Sequence, residues 1–133
     1  MNELYLSVIV ICCNEEEYIE ECLASLASQN YPSSLFEVLI IENGSIDKTQ
    51  QLVKSFIKNY SNMHLIVSDV CGIAVNRNRG ISEANSKYIA FIDADCTAER
   101  GWIYSLVNGF QEERNKNNRL AAIGGPNILP KKA

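Results

Sequence analysis

The chain has 133 residues, of which 47% are hydrophobic and 21% charged, which is typical of one globular domain and excludes an intrinsically disordered protein. Sixteen acidic and twelve basic residues give a formal net charge of −4, and no basic stripe offsets it, so we expect no nucleic acid among its partners. No apolar run reaches the roughly 20 residues of a membrane span, and the segment 1–4 has no basic region typical of a signal peptide.

The first predicted element is a strand over residues 6–13, because LSVIVICC is a continuous apolar run typical of a strand covered on both faces. Asn14 is the predicted N-cap of a helix that runs to about Ser28. Glutamates 15–17 would occupy the first turn of this helix, where carboxylates interact favourably with the helix dipole. A loop follows at residues 30–33.

The second predicted strand spans 36–41 and ends at a Glu-Asn-Gly-Ser turn, after which Ser45 or Asp47 can cap a helix. The remaining predicted elements are a strand at 63–67, a helix at 74–84, a strand at 88–92, a helix at 98–114 and a strand at 120–123. Strands and helices alternate through most of the chain. This order predicts an α/β fold with a doubly wound, mostly parallel sheet and flanking helices.

The five cysteines, at positions 12, 13, 22, 71 and 96, are odd in number, and their spacings match no zinc-binding pattern. Cys12 and Cys13 adjoin an apolar strand. We therefore expect reduced, mostly buried thiols, which favours a cytoplasmic location.

Polar residues follow three of the predicted strands, at 14–15, 42–45 and 93–95. Each cluster alone has a plainer interpretation, since Asn14 can be a helix cap and Asn-Gly-Ser a turn. Because the carboxyl ends of parallel strands share one edge of the sheet, where open α/β sheets bind ligands, the three clusters together predict a ligand site.

Asp93 and Asp95 stand at the end of a strand, separated by one small alanine. Two carboxylates at such a position are costly to desolvate unless a positive charge meets them. Asp95 or Thr97 could cap a helix beginning near Ala98, but a cap explains only one carboxylate. Mg²⁺ or Mn²⁺, shared between the carboxylates and the phosphates of a ligand, would neutralise both.

Arg77 and Arg79 lie in a segment that begins at Gly72, where the backbone can approach a ligand closely. The guanidinium of Arg77 suits a diphosphate by its geometry and permanent charge. A solvated arginine on a helix needs no further explanation, and Arg79 fits that description. From spacing alone, Arg77 can be either a ligand of a diphosphate or a solvated arginine on a helix.

Four segments, at 7–16, 40–49, 72–81 and 88–95, resemble the motifs of the family 2 glycosyltransferases. The second resembles the family's acidic-Gly-Ser-x-Asp-x-Thr turn, the third its Arg-Asn-x-Gly helix segment and the fourth its Asp-x-Asp signature. The motifs stand in the family's order and cover roughly the first hundred residues. The resemblance implies an inverting enzyme with the GT-A fold, whose nucleotide-binding half is Rossmann-like.

The resemblance implies that the following residues line a nucleotide-sugar site: Cys12, Cys13, Asn14 and Glu15 at the nucleoside, Glu42 and Asn43 at the base and ribose, Arg77 at the diphosphate or base, and Asp93 and Ala94 near the ribose or sugar. It also implies that Asp95, with Asp93, binds a divalent metal, Mn²⁺ or Mg²⁺, at the diphosphate. The donor would be a UDP- or GDP-linked sugar and the acceptor a glycan or lipid-linked molecule, in polysaccharide or glycan synthesis.

The sequence departs from the family pattern at two places. The family often has proline and an aromatic residue where Cys12 and Cys13 stand, and commonly two aspartates where Glu42 and Asn43 stand. Asn43 can still donate and accept hydrogen bonds at a base edge.

In the family the general base lies beyond the acceptor-side region that the segment 124–127 resembles, and His64 is a poor substitute for it. We therefore expect residues 1–133 to be the nucleotide-sugar-binding part of a catalytic domain, truncated on the acceptor side, with little or no transfer activity alone. Any membrane association would come from a missing segment.

The sequence also allows two alternative functions to be compared with this one. A nucleotidyltransferase needs a glycine-rich, basic phosphate loop after the first strand, whereas residues 14–17 are acidic and would repel phosphate. The second alternative is a non-catalytic α/β nucleotide- or partner-binding module. One such module, the phosphoacceptor receiver, is built around an acid pair after the first strand and a lysine after the last strand, and this pairing is not evident here. Metal-dependent nucleotide binding would separate the glycosyltransferase from this second alternative.

Overall fold

A computed structural model describes residues 5–70 and 72–115. Its elements are β1 (Leu6–Cys12), α1 (Ile19–Ala27), a short 3₁₀ helix (Ser33–Leu35), β2 (Phe36–Asn43), α2 (Thr49–Ile57), β3 (Met63–Ser68), α3 (Ile73–Glu83), β4 (Ile89–Asp93) and α4 (Trp102–Asn115). The predicted alternation of strands and helices is confirmed over these residues. The strand predicted at 120–123 lies outside them.

The four described strands form one parallel sheet in the order β3-β2-β1-β4. After β3 the chain crosses to the other side of β1, so the strand order reverses between β1 and β4, where open α/β sheets bind ligands. The register pairs Cys12 with Glu42 and Ile11 with Asp93. The ends of β1, β2 and β4 are therefore level at one edge of the sheet.

Helices cover both faces of the sheet, as predicted for a doubly wound fold. One face carries the main core, in which residues of α1, α2 and α4 pack on alternate residues of β1 such as Val8 and Val10. The opposite face presents the smaller apolar group of Ile9, Leu39 and Ile41. There α3 packs closely, because Gly80 faces Ile9 without a side chain of its own.

The first helix begins at Ile19, so the prediction that Asn14 is its N-cap is wrong. Asn14 has a φ of 54°, a left-handed conformation that asparagine tolerates. A turn follows, in which the carbonyl oxygen of Glu15 accepts from the backbone N–H groups of Tyr18 (3.0 Å) and Ile19 (2.9 Å). Glutamates 15–17 therefore precede the helix, whose first turn contains Glu20 and Glu21 instead.

The fourth helix begins at Trp102, four residues later than expected, because the backbone N–H of Trp102 donates to the carbonyl oxygen of Glu99 (3.0 Å). Asp95 and Thr97 lie too far upstream to cap it. The structure thereby removes the capping explanation of Asp95. At α2 the N-cap residue is Lys48, so the prediction that Ser45 or Asp47 caps this helix is wrong. The carboxylate of Asp47, one residue earlier, accepts from the backbone N–H of Thr49 (2.9 Å).

Four of the five cysteines lie in the described ranges, and none of these four forms a disulfide bond. Cys12, Cys22 and Cys96 are buried and Cys13 is exposed, which confirms the expected reduced and mostly buried state for these four. The cytoplasmic location stays a prediction. Within residues 5–70 and 72–115, no helix combines the length and apolar character needed to cross a bilayer.

Candidate functional site

The candidate site lies at the carboxyl edge of the sheet, where the segments after β1 and β2 are joined by hydrogen bonds. The backbone N–H of Asn14 donates to the Ser45 hydroxyl (2.9 Å), and Asn14 Oδ1 accepts from the backbone N–H of Ile46 (2.9 Å). The backbone N–H of Glu15 donates to the Thr49 hydroxyl (2.8 Å). The Asn14 amide is therefore used to join the two loops, and its contribution to the site is to hold their backbone.

Asp47 belongs to the same connection. Desolvation acts to raise its pKa, but hydrogen bonds from the Thr49 hydroxyl, from the Thr49 backbone and from the Glu16 backbone outweigh it. These bonds hold the pKa of Asp47 below its usual value of 3.8. The carboxylate is therefore charged at neutral pH and tied to both loops.

Glu42 stands at the predicted edge position, but its side chain is only 1% exposed. Its Oε1 accepts from the backbone N–H of Ser45 (2.7 Å), across a turn in which Gly44 has a φ of 68°. Glu42 therefore shapes the turn after β2. A role at a base or ribose would have to act through that turn.

Of the residues predicted at the nucleoside, Cys13 and Asn14 are exposed and Asn43 is partly exposed. Asn43 is partly exposed, and within the described part of the chain its side-chain amide makes no hydrogen bond. Cys13 is exposed, whereas Cys12 is buried in the main core, where burial and then the charge of Glu42 raise the pKa of its thiol. Asn43 is thus free to pair with a ligand, while Cys12 acts by packing.

Asp93, Asp95 and Cys96 come together in a tight turn after β4. The backbone N–H of Cys96 donates to the carbonyl oxygen of Asp93 (3.0 Å), and the buried Ala94 anchors the turn in the main core. One donor atom from each of Asp93, Asp95 and Cys96 lies within 4.8 Å of the other two. The exposed Asp93 and the partly buried Asp95 thus face the edge together.

Two buried thiols lie against this turn. Cys96 donates to Asp95 Oδ1 (3.6 Å), and burial followed by the Asp95 charge raises the pKa of Cys96 to about 11. Cys22 of α1 donates to the carbonyl oxygen of Asp93 (3.7 Å), and burial followed by Cys96 raises its pKa to about 12. Both are therefore protonated near neutral pH.

Among the described residues, neither the Asp93 nor the Asp95 carboxylate forms an ion pair with a cationic side chain. The ion pair of the described residues is Arg79 with Glu83, at 3.3 Å on the surface of α3, and neither aspartate takes part in it. Carboxylate oxygens without a protein counter-ion are the donor chemistry that Mg²⁺ and Mn²⁺ prefer. The donor set at Asp93 and Asp95 therefore fits the predicted metal.

Arg77 lies on the other side of the same strand end. Its guanidinium carbon is 5.5 Å above the centroid of the Phe91 ring, a cation–π arrangement. Arg77, Phe91 and Asp93 line a cleft of about 120 Å³ between α3 and β4, with Ile11 and Ile73. The structure thus places Arg77 beside Asp93, whereas Arg79 points to Glu83 on the surface.

Three further residues shape this site and were not predicted from the sequence. Asn76 is fully buried and donates to the carbonyl oxygens of Val70 (3.0 Å) and Gly72 (2.8 Å), which fixes the loop before α3. Phe91, within the predicted strand at 88–92, supports Arg77, and Cys96 adds a thiol to the acidic turn. Two of them could have been identified from the sequence, because Asn76 stands four residues after Gly72 and Cys96 directly follows the Asp-x-Asp motif.

The comparisons with known proteins agree with this geometry. The model of Glycosyl transferase family 2 matches residues 7–122, which is more than half of the chain. Glycosyltransferase AglE of Haloferax volcanii is 37% identical over 100 residues, which cover 74% of this chain and 33% of AglE. The chain therefore spans about a third of the length of this curated relative.

Two solved structures share the fold. The crystal structure of Staphylococcus aureus TarS 1–349 in complex with UDP-GlcNAc matches 93% of this chain and 37% of its own, with a TM-score of 0.73 and 26% identity. A mannosyltransferase of Pyrobaculum calidifontis in complex with GDP-Man and Mn²⁺ matches 85% of this chain and 33% of its own, with a TM-score of 0.74 and 25% identity. The predicted GT-A architecture is confirmed, and the chain belongs to glycosyl transferase family 2.

Proposed function

We propose that this chain binds the nucleoside diphosphate sugar donor of an inverting glycosyltransferase, through a divalent cation at Asp93 and Asp95. The observation that carries the proposal is the pair of carboxylates at the strand-order reversal, which lie close together and form no ion pair with any residue in 5–70 or 72–115. Because the chain spans 33% of the length of AglE, the proposal for residues 1–133 is donor binding, as the nucleotide-sugar-binding part of a larger catalytic domain.

Each residue at the edge has a distinct part in this proposal. Asp93 and Asp95 would hold Mn²⁺ or Mg²⁺, which when bound stabilises the negative charge on the departing nucleoside diphosphate. Arg77, held over Phe91, offers a permanent charge to the diphosphate. The partly exposed Asn43 offers both a donor and an acceptor to the base or ribose.

The loops after β1 and β2 would be preorganised for the nucleoside. Asn14 and Ser45 join them, and Glu42 fixes the intervening turn, so the backbone around Cys13 and Asn43 is set before a ligand arrives. A preformed site loses less conformational entropy on binding than a loose one. Glu15 and Ala94 support the same edge, Glu15 through its backbone bond to Thr49 and Ala94 by packing.

The structural neighbours support the donor class. TarS binds UDP-GlcNAc in its crystal structure, and the P. calidifontis protein binds GDP-Man with Mn²⁺. We therefore propose a UDP- or GDP-linked sugar for this chain. A glycan or lipid-linked acceptor, and a place in polysaccharide or glycan synthesis, belong to the same proposal; the full name of TarS, a poly(ribitol-phosphate) β-N-acetylglucosaminyltransferase, supports a polymeric acceptor.

Calorimetry with UDP, GDP and ADP, each with and without Mn²⁺, tests the proposal. We expect UDP or GDP to bind, and Mn²⁺ to strengthen the binding. Asp95→Ala should abolish the Mn²⁺ effect and leave the Tm unchanged or raised, since it removes like-charge repulsion and no helix depends on Asp95 for its cap.

Two results would contradict the proposal. A folded protein that binds none of the nucleotides would favour the non-catalytic module. A large fall in the Tm of Asp95→Ala would show that Asp95 is structural. Arg79→Ala is the matched control, because Arg79 pairs with Glu83 on the surface of α3 and should leave both nucleotide affinity and the Mn²⁺ effect unchanged.

A further inference from the structure

We infer that Cys96 is a third donor to the cation at Asp93 and Asp95, which makes this a mixed carboxylate–thiolate site able to take thiophilic divalent ions such as Zn²⁺, Cd²⁺ and Co²⁺. The inference rests on the proposed metal site and concerns which ions that site accepts. It is carried by the position of the Cys96 sulfur, which shares one small volume with a carboxylate oxygen from each aspartate.

The fold of the turn places the sulfur there. The bond from the Cys96 backbone to the Asp93 carbonyl oxygen (3.0 Å) turns the chain back on itself, so Cys96 follows Asp95 on the inner side of the turn. Cys96 is 7% exposed, with its thiol directed at Asp95 Oδ1 (3.6 Å). A buried sulfur in a short turn has few other orientations available.

The distances are compatible with a single ion. Oxygen and sulfur ligands lie about 2.0 and 2.3 Å from Zn²⁺, so two donors on one ion are separated by at most about 4.3 Å. The three donor atoms are within 4.8 Å of one another. Tetrahedral ligands at these bond lengths are about 3.3–3.5 Å apart, so movements of up to about 1.5 Å bring all three onto one ion. Side-chain rotation at the exposed Asp93 supplies such a movement.

The chemistry of the sulfur changes which ions the site accepts. Two carboxylates alone prefer hard ions such as Mg²⁺ and Mn²⁺, whereas a thiolate favours softer ions. On binding, the S–H bond of Cys96 breaks, a metal–sulfur bond forms and the proton passes to solvent, with no change in oxidation state. Thiophilic ions should therefore compete with Mn²⁺ at this turn.

A different role for Cys96 makes a different prediction. If the thiol only donates a hydrogen bond to Asp95, it is a positioning residue, and no metal–sulfur bond forms. Optical titration with Co²⁺ separates the two roles, because a Co²⁺–thiolate bond produces a charge-transfer band in the near ultraviolet and a hydrogen-bonded thiol does not. The readout needs no enzymatic activity.

The test compares Co²⁺ titrations of the wild type with Cys96→Ser, with Asp95→Asn and with the control Cys13→Ser, whose exposed sulfur is not one of the three grouped donors. We expect the band in the wild type and in Cys13→Ser, and its loss in Cys96→Ser. Cys96→Ser should also lose more than about 100-fold in Cd²⁺ affinity, beyond the roughly 10–100-fold that loss of an outer-shell partner causes, and lose less than about tenfold in Mn²⁺ affinity.

The outcomes are distinguishable. Co²⁺ and Mn²⁺ binding without a band would overturn the role of Cys96 and leave the proposed site at Asp93 and Asp95 intact. A band that persists in Cys96→Ser would assign the sulfur to another cysteine and also overturn the inference. Absence of any metal binding by the wild type would instead remove the proposed function itself.

Discussion

Gly80 lets α3 lie close to the sheet, and its replacement by alanine should be destabilising even though alanine is the better helix former. A Cβ at Gly80 would lie 2.7 Å from Ile9 Cγ2 and 2.9 Å from Ile9 Cδ1, closer than real contacts allow. The helix gains about 1 kcal/mol from the change of residue, and overpacking costs about 1–3 kcal/mol. We therefore expect Gly80→Ala to lower the free energy of unfolding by up to about 2 kcal/mol.

A double-mutant cycle with Ile9→Ala isolates the contact. Ile9→Ala alone should cost about 2–5 kcal/mol, because it leaves a cavity in the core. In that background the clashing atoms are gone, so Gly80→Ala should be neutral or stabilising by up to about 1 kcal/mol. The two substitutions should therefore couple by about 1–3 kcal/mol. Urea unfolding followed by circular dichroism measures all four free energies.

The control is Asn78→Ala on the exposed side of the same helix, which should stabilise by a few tenths of a kcal/mol through helix propensity alone. If Gly80→Ala behaved like this control, α3 would not lie as close to Ile9 as described. Arg77 precedes Gly80 by less than one helical turn, so a displaced α3 should also weaken nucleotide binding.

Further expectations concern the arginine, the acid range and the thiols. Phe91→Ala should lower UDP or GDP affinity about two- to fivefold, because a cation–π contact to Arg77 is worth about 0.5–1 kcal/mol. The pKa of Asp47 is lower in the folded protein, so its contribution to stability is present above pH 3.8 and is lost as the pH falls through the folded value. The urea concentration at the unfolding midpoint should therefore fall less at acid pH in Asp47→Asn than in the wild type. Alkylation of the folded protein, mapped by peptide mass spectrometry, should modify Cys13 and spare Cys12, Cys22 and Cys96.

Each of these has a result that would contradict it. Equal nucleotide affinities in Phe91→Ala and the wild type would show that the ring does not support Arg77. If the urea midpoint fell equally at acid pH in Asp47→Asn and the wild type, the hydrogen bonds of Asp47 would not persist in solution. Rapid alkylation of Cys96 before unfolding would show that the turn after β4 is open.

The strands were predictable because their burial is a property of local sequence. Leu6–Cys12 is apolar apart from Ser7, and Phe36–Asn43 has an apolar centre at 38–41; both strands are buried on both faces by helices, as such runs require. The starts of α1 and α4 were not predictable in the same way. Asn14 looks like a cap in isolation, but its amide bonds the backbone of Ile46, 32 residues later, and only the tertiary fold creates that partner.

The residues of the candidate site were likewise predictable only in part. Asp93 and Asp95 were identifiable because carboxylates at the end of an apolar strand are unusual in a core, and parallel topology then fixes the edge on which they lie. The burial of Glu42 was not predictable, because it depends on the turn at Gly44 folding back over the carboxylate. Phe91 alternates with core residues in sequence, and its 41% exposure arises from the cleft beside α3.

Electron paramagnetic resonance of Mn²⁺, titrated with the protein in the presence and absence of UDP or GDP, tests most directly whether a cation joins the carboxylates to a bound diphosphate. Nucleotide should tighten Mn²⁺ binding by the same factor by which Mn²⁺ tightens nucleotide binding, because coupling between two ligands is reciprocal. The double variant Asp93→Asn, Asp95→Asn should fold and show neither effect. Equal Mn²⁺ affinities with and without nucleotide, or coupling that survives in the double variant, would contradict the proposed donor site.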